Sequence, residues 1–155
     1  MPTRFSILLL LGLAFAGCGG SNTSTSMPAA PTPTPTPTAT TNATFSNIQH
    51  DIFETSDPSG RAACTNCHTS AGRSPAGGLD LSHAAAYDQL VNIPSRAAPA
   101  SMRVIPGNAN GSYLVHTIEG TPDIVGKRMP LNGPYLSDAQ IAIIKQWIAN
   151  GAARN

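Results

Sequence analysis

Residues 64–68 read Cys64-Thr65-Asn66-Cys67-His68, the one place in the chain where two cysteines lie close together. Two sulfurs three positions apart with a histidine beside them can hold a metal cofactor, exchange thiols, or occupy a loop with no special role. The rest of the chain has to decide between these. It has 155 residues and three cysteines, the third being Cys18. One domain is the default at this length.

The N-terminus, "MPTRFSILLLLGLAFAGC", carries Arg4, then an apolar run from Ile7 to Phe15, then Ala16 and Gly17 directly before Cys18. That three-part plan predicts a signal peptide over residues 1–17, too short for a comfortable membrane span. Its end resembles a bacterial lipobox, with Phe15 where leucine is usual, which implies a lipid on Cys18. An odd cysteine count leaves a disulfide scheme incomplete in an exported protein. With Cys18 as the anchor, Cys64 and Cys67 remain as the pair in the folded part.

Residues 18–44 are expected to be a Pro/Thr-rich linker. From Gly19 onward they contain no charge and no aromatic residue, and Pro and Thr alternate from Pro31 to Thr38. Such a stretch buries too little apolar surface to offset its ordering entropy, so it reads as extended and partly polyproline II. Largely extended, it reaches on the order of 60 to 80 Å. The folded domain is then 45–155. Removing Arg4 with the signal leaves eight basic residues (nine minus one) against eight acidic ones, formally neutral. There is no run of five like charges, so a nucleic-acid partner is not expected. Lys127 and Arg128 form the one local basic pair, expected as solvated surface that could also help an acidic partner dock.

Phe45, Ile48 and Ile52 sit three and four apart, with Phe53 beside them, and predict a first helix over about 45–54 capped by Thr44 or Ser46. "TSDPSGRAA" then turns the chain into the cysteine pair. A second helix is expected to open at Ser82 and run through "HAAAYDQLV" to a stop before Pro94. A third, short helix "YLVHTIE" follows Ser112 and ends at Gly120. The last is the clearest: Ser137 and Gln140 have capping-box spacing, Leu136 and Ile141 staple spacing, Ile141, Ile144 and Ile148 share a face beside Trp147, and Gly151 stops it. No useful strand pattern appears, so the expected class is all-α, three to four helices with long loops. Loops that long in so small a domain need an additional body to pack on.

C-x-x-C-H in an exported chain is the attachment signature of a c-type haem. Its two thiols reach two vinyl groups on one porphyrin edge, and His68 turns its imidazole under the iron. A thioredoxin-like dithiol expects a βαβ setting and has no use for His68. Zinc wants four ligands, and only the scattered His50, His83 and His116 are available. A sixth iron ligand is expected from Met129, which Pro130 keeps out of helical geometry in the loop before the last helix. Met102, the three other histidines and an open sixth position are the alternatives; Met27 lies in the linker.

The order of C-x-x-C-H after an initial helix, a Met-Pro loop and a C-terminal helix containing Trp147 resembles a class I mono-haem cytochrome c. More narrowly, "GGLDLS", "VIPGNANGSYLV" and "MPLNGPYLSDAQIAIIKQWIANGA" resemble the planctomycete-type cytochrome c domain. The resemblance spans nearly all of residues 45–152. It implies one covalent haem c on Cys64 and Cys67, His68 and Met129 as axial ligands, and first and last helices crossing beside the haem. By analogy the Pro75 carbonyl holds the other nitrogen of His68, and Trp147 packs near the haem edge or in plain helix-helix core. The "ETSDPSGRAA" insert departs from the tighter path of relatives.

The expected function is that of an electron carrier, not an enzyme. It is a lipid-anchored periplasmic or cell-surface cytochrome exchanging single electrons between a protein donor and acceptor. The alternatives are a sensory or catalytic haem domain with an open sixth position, and a non-haem surface lipoprotein.

Overall fold

The computed structural model describes residues 43–155; the signal segment 1–17, Cys18, Met27 and the rest of the linker up to residue 42 lie outside the described residues. The chain enters the domain through Thr44, whose hydroxyl accepts from the Asn47 N–H at 3.2 Å and caps helix α1, Phe45–Ile48. This helix runs straight into a π-helical stretch, Gln49–Glu54. The expected helix is present, but its second half is wider than an α-helix. Side chains five apart lie on different faces at 3.6 residues per turn, whereas π geometry brings them together. Gln49 and Glu54 use that wider geometry, with Gln49 Nε2 donating to Glu54 Oε1 at 2.8 Å. The same amide donates to the Leu81 carbonyl at 2.8 Å, so the wide turn also grips a distant loop.

Three further helices follow: α2, Ala86–Leu90; α3, Tyr113–Glu119; and α4, Asp138–Ala149. Short 3-10 turns lie at Cys64–Asn66, Ala76–Gly78 and Ala109–Gly111. Among the described residues there is no β-strand, only isolated bridges such as Val91 with Val104. The class is all-α with long connections. Helix α4 forms as read, with the Ser137–Gln140 capping box closed in both directions and Gly151 in the left-handed region just past its end. Helix α2 is shorter than expected because residues 82–85 form a turn in which both Ala85 N and Ala86 N donate to the Ser82 carbonyl.

One continuous core joins these pieces. Ile141, Ile144, Trp147 and Ile148 of α4 meet Phe45, Ile48, Ile52 and Phe53 of the first helical stretch, with Leu90, Val115 and Ile118 completing it. Phe45 lies edge-on to Tyr87 at 5.2 Å and tilted against Trp147 at 5.4 Å, so aromatic rings from three helices converge. The first turn is also tied to Asn155, whose main-chain and side-chain oxygens accept from Ser46 N and Phe45 N, each at 2.9 Å.

The insert before the cysteines is anchored by a buried cation. Arg61 has no exposed surface. Its guanidinium donates to the Ile52 carbonyl (3.0 Å), the Thr55 carbonyl (3.0 Å), the Ala62 carbonyl (3.1 Å) and Asp57 Oδ2 (3.0 Å). The last carbonyls of a helix have no partner within it, and a cation there also meets the negative end of the dipole. The Ser59 hydroxyl and then Arg61 hold the Asp57 carboxyl well below the usual range. Arg61→Ala leaves these carbonyls without donors inside a closed loop and is expected to cost on the order of 3 kcal/mol. Arg61→Lys is expected to recover little, since one ammonium cannot span the same acceptors. Urea unfolding followed by Trp147 emission measures both; an Arg61→Ala protein as stable as wild type refutes the anchor.

Candidate cofactor site around Cys64, Cys67 and His68

The cysteine pair occupies a 3-10 turn in which Cys67 N and His68 N both donate to the Cys64 carbonyl, at 3.2 and 2.9 Å. The turn is fastened to the end of the first helical stretch. Cys64 Sγ lies 3.6 Å from the Ile52 carbonyl and Thr65 Oγ1 donates to the Phe53 carbonyl at 3.4 Å. Cys64 therefore packs against the core while Cys67 is exposed, and neither is in a disulfide. Burial pushes the Cys64 thiol above its ordinary value. A redox dithiol needs the opposite shift in its attacking sulfur.

His68 is half-buried, and its ring is fixed by one bond. Nδ1 lies 3.0 Å from the Ala76 carbonyl. A carbonyl only accepts, so Nδ1 carries a proton; in the neutral ring this is the tautomer whose lone pair is on Nε2, where a metal can bind. The expected Pro75 carbonyl is one residue off: it accepts from Gly78 N at 3.0 Å, while the Ala76 carbonyl accepts from both Leu79 N (3.2 Å) and the histidine. Two main-chain bonds close the same loop on the motif, Ala76 N to the Cys67 carbonyl (3.0 Å) and Leu81 N to the His68 carbonyl (2.9 Å).

Asp80 completes this platform. It is almost wholly buried. Its carboxylate accepts from the Ser70 hydroxyl, from Ser70 N at 3.2 Å and from Ser82 N at 2.8 Å. The main-chain N–H of Asp80 donates to Gln89 Oε1 of α2 at 2.8 Å. A carboxylate two residues before Ser82 is a recognisable turn signal, but its second partner ten residues upstream is not readable from local sequence.

Met129 is placed by contacts with α3. The chain after α3 folds back on that helix through Val125 N to Tyr113 Oη (2.7 Å), Arg128 Nε to the Ile118 carbonyl (2.8 Å) and Met129 N to the Thr117 carbonyl (2.9 Å). Arg128 also lies 4.1 Å over the Tyr135 ring. Gly120 ends α3 in the left-handed region at φ 75°, and a Cβ there meets the Arg128 side chain at 2.6 Å. The methionine is thus held as a loop residue, half-buried, by contacts independent of the motif turn.

The other candidates are occupied or exposed. His116 has Nε2 on the Asn110 carbonyl (2.7 Å) and Nδ1 on Asp123 (2.6 Å), contacts that raise its pKa and leave no lone pair for a metal. His50 and His83 are mostly exposed, beside Asp51 and Glu54, and Met102 lies at the surface. Trp147 is 1% exposed with its Nε1 on the Ala153 carbonyl at 2.9 Å. Its ring packs on Phe45 at the helix junction. A groove of about 660 Å³ runs along α4 between Glu119, Arg128 and Lys145 and includes none of the motif residues. No protein-family model, curated protein or solved structure matches the chain.

The Ser70 and Ser82 hydroxyls hold the Asp80 carboxyl down at about 2 from the usual 3.8. A carboxylate whose folded value lies below its unfolded one stabilises the fold above the unfolded value and loses that contribution as pH falls through the folded one. The domain is expected to lose stability between about pH 4 and pH 2, with Asp57 acting in the same sense. In Asp80→Asn that acid dependence is expected to flatten. Unfolding midpoints measured across this range check it; parallel wild-type and variant curves count against Asp80.

Proposed function

We propose that the chain is a lipid-anchored, mono-haem c-type cytochrome of the class I kind, carrying single electrons between protein partners outside the cytoplasm. The observation that supports this most is the His68 tautomer. The turn that presents two unpaired thiols also commits Nδ1–H to the Ala76 carbonyl and leaves Nε2 as a ligand. The residue types fit the group: Cys64 and Cys67 would hold a haem through two thioethers, with His68 Nε2 and Met129 Sδ as its protein iron ligands. A haem held there would supply one-electron exchange between ferric and ferrous iron.

The protein's own residues do the rest. Ala76 holds the proton on Nδ1, and the Cys67 and His68 carbonyls keep the 69–80 loop against the ring. The α3 carbonyl of Thr117 fixes the backbone of the methionine. A Met129 thioether ligand would favour the reduced state relative to a second imidazole and so raise the potential. A zinc reading lacks support from the donor set, since among the described residues no three Cys, His, Asp or Glu side chains converge on a metal-sized site. Cys18, with its lipid, is the proposed membrane anchor, and multiple acylation is expected for stable attachment.

Full-length exported protein is expected to show a Soret band and one covalent haem per chain, and a colourless protein overturns the reading. Met129→Ala is expected to lower the potential by on the order of 0.1 V, within the roughly 0.8 V that axial ligation spans. An unchanged ferric spectrum in that variant removes Met129 from the iron. Ready carbon monoxide binding to the reduced wild type points instead to an open, ligand-binding haem. Cys18→Ala is expected to release the protein from membranes.

A further inference from the structure

Arg103 is 7% exposed and makes no ion pair among the described residues. Its guanidinium instead spans two main-chain carbonyls, Gln89 at the end of α2 (Nη1, 2.7 Å) and Gly78 (Nη2, 3.2 Å). Gly78 is the last residue of the 3-10 turn that contains Ala76, the acceptor for His68 Nδ1–H. Arg96 lies against the same turn, since a Cβ on Gly78 meets its side chain at 2.4 Å. Burial and the neighbouring Arg96 both push the Arg103 guanidinium below its ordinary value, so keeping it there has an electrostatic cost. Its own backbone is fixed on both sides, by Arg103 N to the Ile93 carbonyl (2.8 Å) and Leu114 N to the Arg103 carbonyl (2.9 Å). A buried, like-charge-opposed cation held by main chain and spent on two neutral carbonyls needs a reason to be there.

We propose, on the cytochrome reading above, that Arg103 is a positioning residue for the axial histidine: it ties the 76–78 turn to α2 and thereby sets the Ala76 carbonyl that orients His68. The chain of bonds is short. Arg103 holds the Gly78 carbonyl, Gly78 N and Leu79 N close the turn on the Pro75 and Ala76 carbonyls at 3.0 and 3.2 Å, and Ala76 is held at its N–H by Cys67 and at its oxygen by His68. The stiffness of the turn passes to the imidazole, and so does its strength as an electron donor to the iron.

Arg103→Lys separates clamp from charge, because an ammonium keeps the charge but does not bridge both carbonyls. In the reduced, haem-loaded full chain, exchange of the His68 Nδ1 proton, followed by NMR, is expected to be about tenfold faster than in wild type. The reduction potential is expected to rise, since a weaker Nδ1–H···O=C bond leaves the imidazole a poorer donor to ferric iron. Wild-type exchange and potential in a folded Arg103→Lys protein overturn the proposal. If that variant does not fold, Arg103→Gln replaces the guanidinium fork by one amide that cannot bridge the Gln89 and Gly78 carbonyls. Faster exchange is expected there too, and wild-type exchange in the folded Arg103→Gln protein overturns the proposal. A wild-type chain without haem sinks the cytochrome reading instead, and the proton exchange of His68 is then compared between wild type and variants in the haem-free chain.

Discussion

The last carbonyls of the first helical stretch have no partners within it, and the next eleven residues of the chain are arranged to answer them. Arg61 takes those of Ile52 and Thr55, Thr65 that of Phe53, and Cys64 lays its sulfur beside Ile52. Without those acceptors the insert has nothing to fold on, and the cysteine turn has nothing to stand on. Everything later in the domain that concerns His68 is built on that turn: the 69–80 loop through Cys67 and His68, and α2 through Asp80 and Gln89. A domain with helices this short closes itself by side chains capping main chain more than by helix-on-helix area.

Its charges serve the same end. Asp88 pairs with Arg154, Glu119 with Lys145 and Asp123 with His116, each joining segments rather than decorating one face. Exposed pairs of this kind add little stability one by one. Their value is geometric, in fixing where long loops return to the helices. A formally neutral composition is therefore compatible with a structure in which several of the charged groups have structural work inside the protein.

What was legible in the sequence is what has a period or a local signature. The apolar spacing of Phe45, Ile48 and Ile52, the Ser137–Gln140 box and the glycine stops at 120 and 151 all appear where read. Ser112 sits at the expected cap position of α3, yet its hydroxyl accepts from Ile105 N and donates to the Asn108 carbonyl instead, a tertiary use that outcompetes the local one. Arg61, Asp80 and Arg103 could not be picked out, because a buried polar residue bonded to distant main chain leaves no pattern along the chain. Pro75 missed by one residue for a related reason: which carbonyl of a tight turn faces the histidine depends on the turn's dihedrals, and Gly77 is in the left-handed region here. Trp147 had two readings, and its ring lies against Phe45 in the core.

Gly120 shows how far a single absent carbon can reach. The space a side chain needs there is filled by Arg128, which spans from the Ile118 carbonyl to the Tyr135 ring. Any larger residue evicts that arginine, and Met129 is its neighbour in sequence. A helix terminator nine residues upstream, with no functional group of its own, thus bears on where the methionine loop lies. Sequence drift in this domain is expected to be freer at many polar surface sites than at that one hydrogen atom.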